Sequence, residues 1–313
     1  MRNLVRPSLL ALLFSTFVLV AACSSSSSGT SSGGSSSSSG SSGDPTDDGG
    51  TTSSSSGNPP PSSGADVTIT TEKMVVMGTQ RAYVLAVPVD YSPSKKYPLV
   101  ISLHGDGGTG ASMQKYFSFD AVTKRDAIVA YPSGQNQTWD RSVPEDANAD
   151  IQFVKGLVDE LAGKYNIDKT RVLGTGYSSG GFMIDRLACS YGKSLFRAIA
   201  PNAGGMVDSR TTACPGGPVP AFVFHGDADQ GVDWSSGSYL AYYWATVMDG
   251  CQDPGTAGGA ENGAPTTATT PAPCKKYDGC QKEPVTWCLF PGVNHVVAPD
   301  ANSIAWTYFK ALP

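Results

Sequence analysis

Short apolar segments recur along the chain after residue 65, each about as long as a buried strand. Continuous apolar runs of this length are typical of strands covered on both faces of a sheet. The first two segments instead alternate between apolar and polar residues or are rich in β-branched residues, and they predict an antiparallel pair. The predicted strands are 67–70, 82–87, 98–103, 127–131, 171–175, 196–200, 220–224 and 287–290.

Segments in which apolar residues recur at helical spacing lie between these strands. The clearest runs from about Asp150 to Tyr165 and places Phe153, Leu157 and Leu161 on one face. Buried strands that alternate with helices form a mostly parallel sheet with helices on both faces. The predicted fold class is therefore α/β, a three-layer sandwich. The other predicted helices are 112–125, 181–188 and 301–311.

The first 65 residues have a different pattern. Arg2 and Arg6 precede an apolar run that is too short to span a bilayer and is followed by small residues and Cys23. This is typical of a lipoprotein signal peptide over 1–23, with Cys23 as the lipidated residue; the alternative is secretion with Cys23 in the discarded peptide. Residues 24–65 are almost entirely Ser, Gly, Thr, Asp and Pro, which predicts a disordered tether. Residues 66–313 remain for one domain.

Composition narrows the classes of partner and cofactor. The net charge of −5 over 313 residues, without a basic stripe, argues against nucleic acid. Of seven cysteines, six remain once Cys23 is set aside, and an even number in an exported chain predicts three disulfides. Spacing alone does not decide which cysteines pair. The chain has no Cys-x-x-Cys or His-rich spacing, so neither a metal nor a cofactor is predicted.

One short motif indicates a catalytic function. Gly176-Tyr177-Ser178-Ser179-Gly180 reads G-x-S-x-G and lies between a predicted strand and a predicted helix. Strand, sharp turn and helix are the context of a nucleophile elbow, and this motif makes the predicted sandwich an α/β-hydrolase fold. The alternative is an ordinary glycine-rich turn; the context favours Ser178 as a nucleophile.

A serine hydroxyl needs a base, and in this fold the chain order is serine, acid, histidine. Of the three histidines, His104 precedes the serine and His225 precedes the acid candidates, so His295 is the predicted base. Asp229 is the predicted acid because it lies further into its loop than the alternative, Asp227. His225 is interpreted as a structural residue at a strand end.

Two backbone N–H groups are predicted to form an oxyanion hole. One belongs to Ser179, at the start of the elbow helix, and the other to Asp106, in the glycine-rich loop 105–110. An ordinary glycine turn is the alternative for that loop. Trp139 and Tyr177 are candidate substrate-binding residues, and Trp139 has the alternative of a packed loop residue.

These segments together resemble the secreted feruloyl esterase and polyhydroxybutyrate depolymerase-like group of α/β-hydrolases, related to carbohydrate esterase family 1. The resemblance extends from about Thr71 over nearly all of the domain. It implies a serine esterase and favours Asp229 over Asp227 as the acid. It also suggests the disulfides Cys189–Cys214 and Cys251–Cys280, which leaves Cys274–Cys288. The matching segments are 103–108, 131–134 with Trp139, 150–167, 176–181, 225–229 and His295.

The chain departs from that group at three places. Asp106 stands where members often have a small residue or Cys, and its carboxylate would oppose charge on an oxyanion unless it points away. Around His295 the chain reads Val-Asn-His-Val-Val in place of Gly-Gly-His followed by Trp-Pro. The insertion 252–279 is interpreted as a spacer, with a substrate-facing loop as the alternative.

The sequence therefore predicts an exported serine esterase, lipid-anchored at the cell surface or otherwise secreted. The resemblance implies that its substrates are feruloyl or acetyl esters on plant cell-wall polysaccharide such as xylan. A polyhydroxybutyrate depolymerase is the alternative within the same chemistry, and a peptidase uses the same triad. A non-catalytic surface-binding lipoprotein is the alternative from another class.

Overall fold

The apolar segments form strands of one sheet in the computed structural model, which describes residues 65–208, 210–255 and 265–313. All eight predicted strands are present, and most are longer than predicted because hydrogen bonding continues past the apolar residues. The strands are β1 Val67–Val76, β2 Thr79–Pro88, β3 Tyr97–Leu103, β4 Ile128–Pro132, β5 Ile167–Tyr177, β6 Ala198–Asn202, β7 Ala221–Gly226, β8 Thr267–Ala268, β9 Cys274–Lys276 and β10 Val285–Phe290. The helices are α1 Gly110–Phe117, α2 Asp120–Thr123, α3 Ala149–Lys164, α4 Ser179–Tyr191, α5 Trp234–Tyr242 and α6 Ala301–Ala311.

The order of strands across the sheet is β1-β2-β4-β3-β5-β6-β7-β10-β9-β8. The strands from β4 to β10 in this order are parallel, and the β1–β2 and β9–β8 pairs at the two edges are antiparallel. Every residue of β3 is buried, since β3 lies between β4 and β5 and is covered on both faces. Parallel order brings the carboxyl ends of β3, β5, β7 and β10 to one edge, where the loops with polar residues follow.

Helices cover the two faces of the sheet and give two apolar cores. One core takes Leu157 of α3, Met183 of α4 and Leu240 of α5. The other takes Met113 of α1 and Trp306 of α6. This is the three-layer α/β-hydrolase sandwich, so the predicted fold class is confirmed.

α6 lies where it was predicted, and the ends of α3 differ from the expected ones by a single residue. The N-cap of α3 is Asn148, whose side-chain oxygen accepts hydrogen bonds from the N–H groups of Asp150 and Ile151. The apolar positions Val154, Leu157 and Leu161 all face the core. The N-cap and the amphipathic spacing both indicate the same helix, which is why the sequence pattern was enough to predict α3.

The helix predicted over 112–125 is wrong as a single element. The chain leaves helical geometry at Ser118, with φ −43° and ψ 93°, and resumes at Asp120. The break places the Asp120 carboxylate against Tyr131, whose hydroxyl donates a hydrogen bond of 2.5 Å to it. A contact to β4 overrides the local helix preference, and no local pattern reports it.

Two parts of the structure had no counterpart in the predicted elements. α5 contains Gly237 and Ser238 and continues into a π-helical turn over Tyr243–Met248, so its apolar spacing is irregular. The insertion predicted as a spacer supplies β8 and β9, which extend the sheet beyond β10. The described part of the insertion is therefore structured rather than a simple spacer; its residues 256–264 lie outside the described residues.

Three disulfides join the cysteines of the domain. They are Cys189–Cys214, Cys251–Cys280 and Cys274–Cys288, the same pairs that the resemblance suggests. Disulfides persist in oxidising compartments, so they indicate an exported protein. The predicted signal peptide with Cys23, and the tether except for residue 65, lie outside the described residues. Among the residues that are described, no helix has both the length and the apolar character needed to cross a bilayer.

Candidate active site

Ser178 lies at the sharp turn from β5 into α4. Its backbone has φ 53° and ψ −120°, a strained left-handed conformation for a residue with a side chain. The turn closes only because Gly176 and Gly180 lack side chains. A Cβ at Gly176 would lie 2.4 Å from the carbonyl oxygen of Gly180, and one at Gly180 would lie 2.4 Å from that of Leu103. Close packing of backbone therefore forces the serine side chain out at the edge of the sheet.

His295 lies between Ser178 and Asp229 and is within hydrogen-bond distance of both. Its Nε2 is 2.9 Å from Ser178 Oγ, and its Nδ1 is 2.8 Å from Asp229 Oδ2. Because a carboxylate only accepts, Nδ1 carries the proton, which leaves Nε2 free to accept from the serine hydroxyl. The three residues come from loops after β5, β7 and β10, and parallel order brings those loops together.

The Asp229 carboxylate is fully buried and stays ionised. Its Oδ1 accepts hydrogen bonds of 2.8 Å from the N–H groups of both Gly231 and Val232. Burial acts to raise the pKa of Asp229, but the hydrogen bonds from His295 and from these two backbone groups hold it below its usual range. A charged acceptor at this position keeps the His295 proton on Nδ1.

Asp227, the alternative acid, has a different partner. Its Oδ1 accepts a 2.6 Å hydrogen bond from the N–H of Gly292, in the loop that leads to His295. Asn294 ties the same two loops together, because its side-chain oxygen accepts from the N–H of Gln230 at 3.0 Å. The sequence did not indicate that Asp227 and Asn294 hold the loop after β10, which contains His295, against the loop after β7, which contains Asp229. Only the position of Asn294 beside His295 could have suggested one of them.

The two predicted oxyanion donors belong to the start of α4 and to the loop after β3. Ser179 is the first residue of α4, where a helix leaves backbone N–H groups without intrahelical partners. The loop with Asp106 is fixed by hydrogen bonds from Gly108 N–H to Gly105 and from Gly107 N–H to Gln137, of 3.0 and 2.8 Å.

His104 also holds this loop in place. It is buried, and its Nε2 accepts a 2.9 Å hydrogen bond from the N–H of Gly134. Burial lowers the pKa of His104, so it remains a neutral acceptor. Its role in the structure is to connect the end of β3 to the loop after β4.

The Asp106 carboxylate has a hydrogen-bond partner in the loop after β4. The Thr138 hydroxyl donates to Asp106 Oδ1 at 2.5 Å. Burial acts to raise the pKa of Asp106, but this hydrogen bond and the positive charge of Arg141 help to hold it below its usual range. Asp106, whose carboxylate distinguishes this chain from the resembled group, is therefore ionised. Its carboxylate is hydrogen-bonded to Thr138, and its charge is partly balanced by Arg141.

The structure corrects the expectation that Trp139 offers an open aromatic platform. Only 2% of Trp139 is exposed, its indole N–H donates to the carbonyl of His104 at 2.8 Å, and its ring centre lies 4.9 Å from that of His104. This is the alternative of a packed loop residue. Tyr177 is half-buried, and its hydroxyl donates to the carbonyl of His295 at 2.7 Å, so its main contact is with the predicted base.

Two cavities open on either side of this edge of the sheet. One, of about 490 Å³, includes Arg141, Phe182, Met206 and Val207 in its wall, and the N–H of Phe182 donates to the carbonyl of Ser178. The Arg141 guanidinium lies 5.2 Å from the centre of the Phe182 ring.

The other cavity, of about 310 Å³, lies between α1 and the start of α6 and includes Phe117, Val297 and Asn302 in its wall. The Phe117 ring packs 5.3 Å from that of Tyr177, so this cavity borders the histidine side of the site.

One group of potential metal ligands occurs among the described residues. Asp249, Cys251 and Cys280 bring one ligand atom each to within 4.8 Å of one another. Cys251 and Cys280 are joined in a disulfide, whereas the thiolate is the form that binds metal. This group does not offer a metal centre.

An α/β-hydrolase sandwich with a serine on a strained elbow, hydrogen-bonded to a histidine and a buried aspartate, defines the class of serine hydrolases of this fold. No protein family model matches the chain. The chain is 28% identical over 264 residues to "Feruloyl esterase C" of Emericella nidulans, a match that covers 79% of this chain and 90% of that one.

Two further comparisons are of different kinds. The chain is 35% identical over 173 residues to "Putative esterase NocK" of Nocardia uniformis subsp. tsuyamanensis, but that match covers 53% of this chain and only half of NocK. The solved structure of "Acetyl xylan esterase from Aspergillus awamori" aligns with a TM-score of 0.57 at 18% identity, over 77% of this chain and 99% of that one, which supports the fold. The resemblance to feruloyl esterases is confirmed.

Proposed function

We propose that this protein is an exported serine esterase that hydrolyses carboxylic esters on plant cell-wall polysaccharide through an acyl-serine intermediate. The observation that carries the proposal is the hydrogen-bonded series from Ser178 through His295 to Asp229, with Ser178 on the strained elbow. Relatives named feruloyl esterase support the same reaction class.

In the acylation step, His295 Nε2 takes the proton of Ser178 Oγ as the oxygen attacks the ester carbonyl. The imidazolium that forms is stabilised by the ionised Asp229, to which Nδ1–H donates. The backbone N–H groups of Ser179 and Asp106 are the proposed donors to the oxyanion. His295 then protonates the departing alcohol, and water activated by the same nitrogen releases the acid.

Feruloyl or acetyl esters are the proposed substrates. The cavity of about 490 Å³ at the start of α4 has the apolar side chains of Phe182, Met206 and Val207 in its wall, together with the polar residues Asp140, Arg141 and Ser142. A wall that combines apolar side chains with a few polar groups is typical of sites that bind and orient a small ligand. Trp139 also lines this cavity, but it is almost completely buried and has no part in the proposal as a sugar platform.

An ester panel on the full-length chain tests this function. We expect turnover of methyl ferulate or acetylated xylan, and of p-nitrophenyl acetate, with Ser178→Ala lowering kcat by at least about 10⁴-fold while the melting temperature stays within a few degrees. Preference for hydroxybutyrate oligomers would instead assign a depolymerase. Turnover of no ester, together with retained binding to polysaccharide, would show a non-catalytic binding protein.

We further propose that Cys23 carries a lipid and that residues 24–65 tether the domain to a membrane. Small residues before Cys23 and a Ser/Gly-rich segment after it support this, and a coil of about forty such residues spans roughly 35 Å. In a bacterial host fed a labelled fatty acid, we expect label on the wild type and none on Cys23→Ala. Equal labelling of both, or unlabelled wild type cleaved after Cys23, would refute the anchor.

A further inference from the structure

His225 is a buried histidine that the proposed mechanism does not use. It is the penultimate residue of β7, and 1% of it is exposed. Its Nε2 lies 2.9 Å from the carbonyl oxygen of Val232 and 3.1 Å from Asp229 Oδ2. Both neighbours of this nitrogen are acceptors, so Nε2 carries the proton and donates to them.

The other side of the His225 ring excludes a second proton. Among the described residues no hydrogen-bond partner reaches Nδ1, and a Cβ at Gly237 of α5 would lie 2.5 Å from it. Across the sheet, β10 places Leu289 opposite His225, and the ring centre of Trp287 lies 6.3 Å from that of His225. The ring is therefore held as one tautomer, with its N–H towards the acid and its bare nitrogen against packed backbone.

Two histidines thus meet at one carboxylate oxygen. Asp229 Oδ2 lies 2.8 Å from His295 Nδ1 and 3.1 Å from His225 Nε2, while Oδ1 accepts from the two backbone N–H groups of Gly231 and Val232. A carboxylate that accepts at both oxygens in this way has no freedom to rotate. The N–H of His225 also draws part of the negative charge of Oδ2 towards itself, so less of that charge faces His295.

We propose that His225 is a positioning residue, whose neutral imidazole donates to Asp229 Oδ2 and so fixes the carboxylate that orients His295. This inference rests on the proposed triad. Removing the donor would free Asp229 to turn and would leave more negative charge on the oxygen beside His295. The charged or titratable groups around His225 are Asp229 and Asp233 on its loop and His295 on the neighbouring loop.

The expected effect has a rate component and a titration component. His225→Phe keeps the ring but has no donor, and we expect kcat to fall about tenfold to a hundredfold with little change in KM. The pKa of His295 should rise by about half a unit to one unit, because a less shared carboxylate favours the imidazolium more strongly. The acid limb of the kcat/KM profile should move to higher pH by the same amount.

Matched variants separate positioning from packing. The terminal amide of His225→Gln can place an N–H where Nε2 lies, so kcat should recover to within about threefold of wild type and the His295 titration should stay in place. The side chain of His225→Asn is too short to reach Oδ2, so this variant should behave like His225→Phe. It provides a second variant without the donor in case the phenylalanine side chain prevents folding. Trp287→Phe is the packing control and should lower the melting temperature without moving the His295 titration.

NMR titration of ¹⁵N-labelled histidine in the Ser178→Ala background reads the His295 pKa without any turnover. An upward shift in His225→Phe or His225→Asn but not in His225→Gln would support the proposal even if no substrate is found. Wild-type kcat and titration in the variants that lack the donor would overturn it, as would equal shifts in all three variants. Failure of the ester panel alone would instead remove the proposed function.

Discussion

The two aspartates of the acid loop show how two neighbouring carboxylates acquire different tasks. Asp229 faces the His295 imidazole, and Asp227 holds the N–H of Gly292. Their partners differ because Asp227 directly follows the last residue of β7, while Asp229 lies two residues further on, where the loop has turned.

Replacing each aspartate by asparagine should separate these tasks. Asp229→Asn should lower kcat about 10⁴-fold without unfolding the domain, because an amide favours the wrong imidazole tautomer. Asp227→Asn should cost less than about tenfold in kcat. Steady-state kinetics on p-nitrophenyl acetate checks both, with melting temperatures as the control for folding. The reverse ranking would make Asp227 the acid.

Asp106 gives a test of the backbone donor. Asp106→Asn keeps the N–H and removes the negative charge beside the developing oxyanion, so kcat should stay within about threefold of wild type or rise. A loss of a hundredfold or more would show that the carboxylate itself acts, and would place the second oxyanion donor elsewhere. Kinetics from pH 6 to 8 is the measurement.

Asp185 should make stability fall as pH rises. It is fully buried against Arg210 and accepts a 3.0 Å hydrogen bond from the Trp244 indole. Burial raises its pKa from 3.8 to about 6, against the opposing effect of Arg210. Its contribution is complete below its unfolded pKa and is lost as pH rises through about 6, by up to about 3 kcal/mol.

Urea unfolding at pH 4.5 and pH 7 of wild type and Asp185→Asn measures this effect. The relevant quantity is the change in unfolding free energy between the two pH values, since the variant also leaves Arg210 with Asp208 as its one remaining charged partner among the described residues at both. The drop with rising pH should be smaller in the variant. Identical changes in the two proteins would show that Asp185 does not titrate in this range.

At the scale of elements, the elbow depends on a close approach of α4 to the end of β3. A Cβ at Gly180 would lie 2.4 Å from the carbonyl oxygen of Leu103 and 2.6 Å from that of His104. Gly180→Ala should therefore destabilise the domain by several kcal/mol or prevent folding. Gly163 of α3 is the matched control, because a Cβ there meets nothing within 4 Å.

Gly163→Ala should raise the unfolding free energy by about 0.5–1 kcal/mol, since alanine restricts the unfolded chain and favours helix. Denaturant unfolding compares the two variants. Equal effects at the two positions would mean that the contact between α4 and β3 is not tight.

The same scale shows which elements could be predicted from the sequence. α3 was predicted within one residue because its cap and its apolar face agree locally. The helix predicted over 112–125 was wrong because Asp120 is held by Tyr131 of β4. β8 was missed since a two-residue strand has too few positions to show a pattern.

At the scale of the whole molecule, the candidate machinery lies within the part of the chain that begins near Asp66. A chain that begins at Asp66 should keep kcat/KM on a soluble ester within about twofold, since β1 starts at Val67 and the side chain of Asp66 pairs with Arg125 at 3.1 Å. A large loss of activity would assign the first 65 residues a role in the site. Kinetics of the two chains, matched by active-site titration, decides this.

The sequence by itself determined the eight main strands, most of the helices, the elbow motif and the choice of His295, because apolar periodicity, glycine and histidine counts are local or countable properties. The sequence favoured Asp229 over Asp227 as the acid, but only the tertiary structure placed its carboxylate on His295, buried Trp139 and brought His225 to the same carboxylate. Those outcomes depend on which loops meet at the edge of a parallel sheet and how each loop turns there, and such contacts leave no periodic trace in the chain.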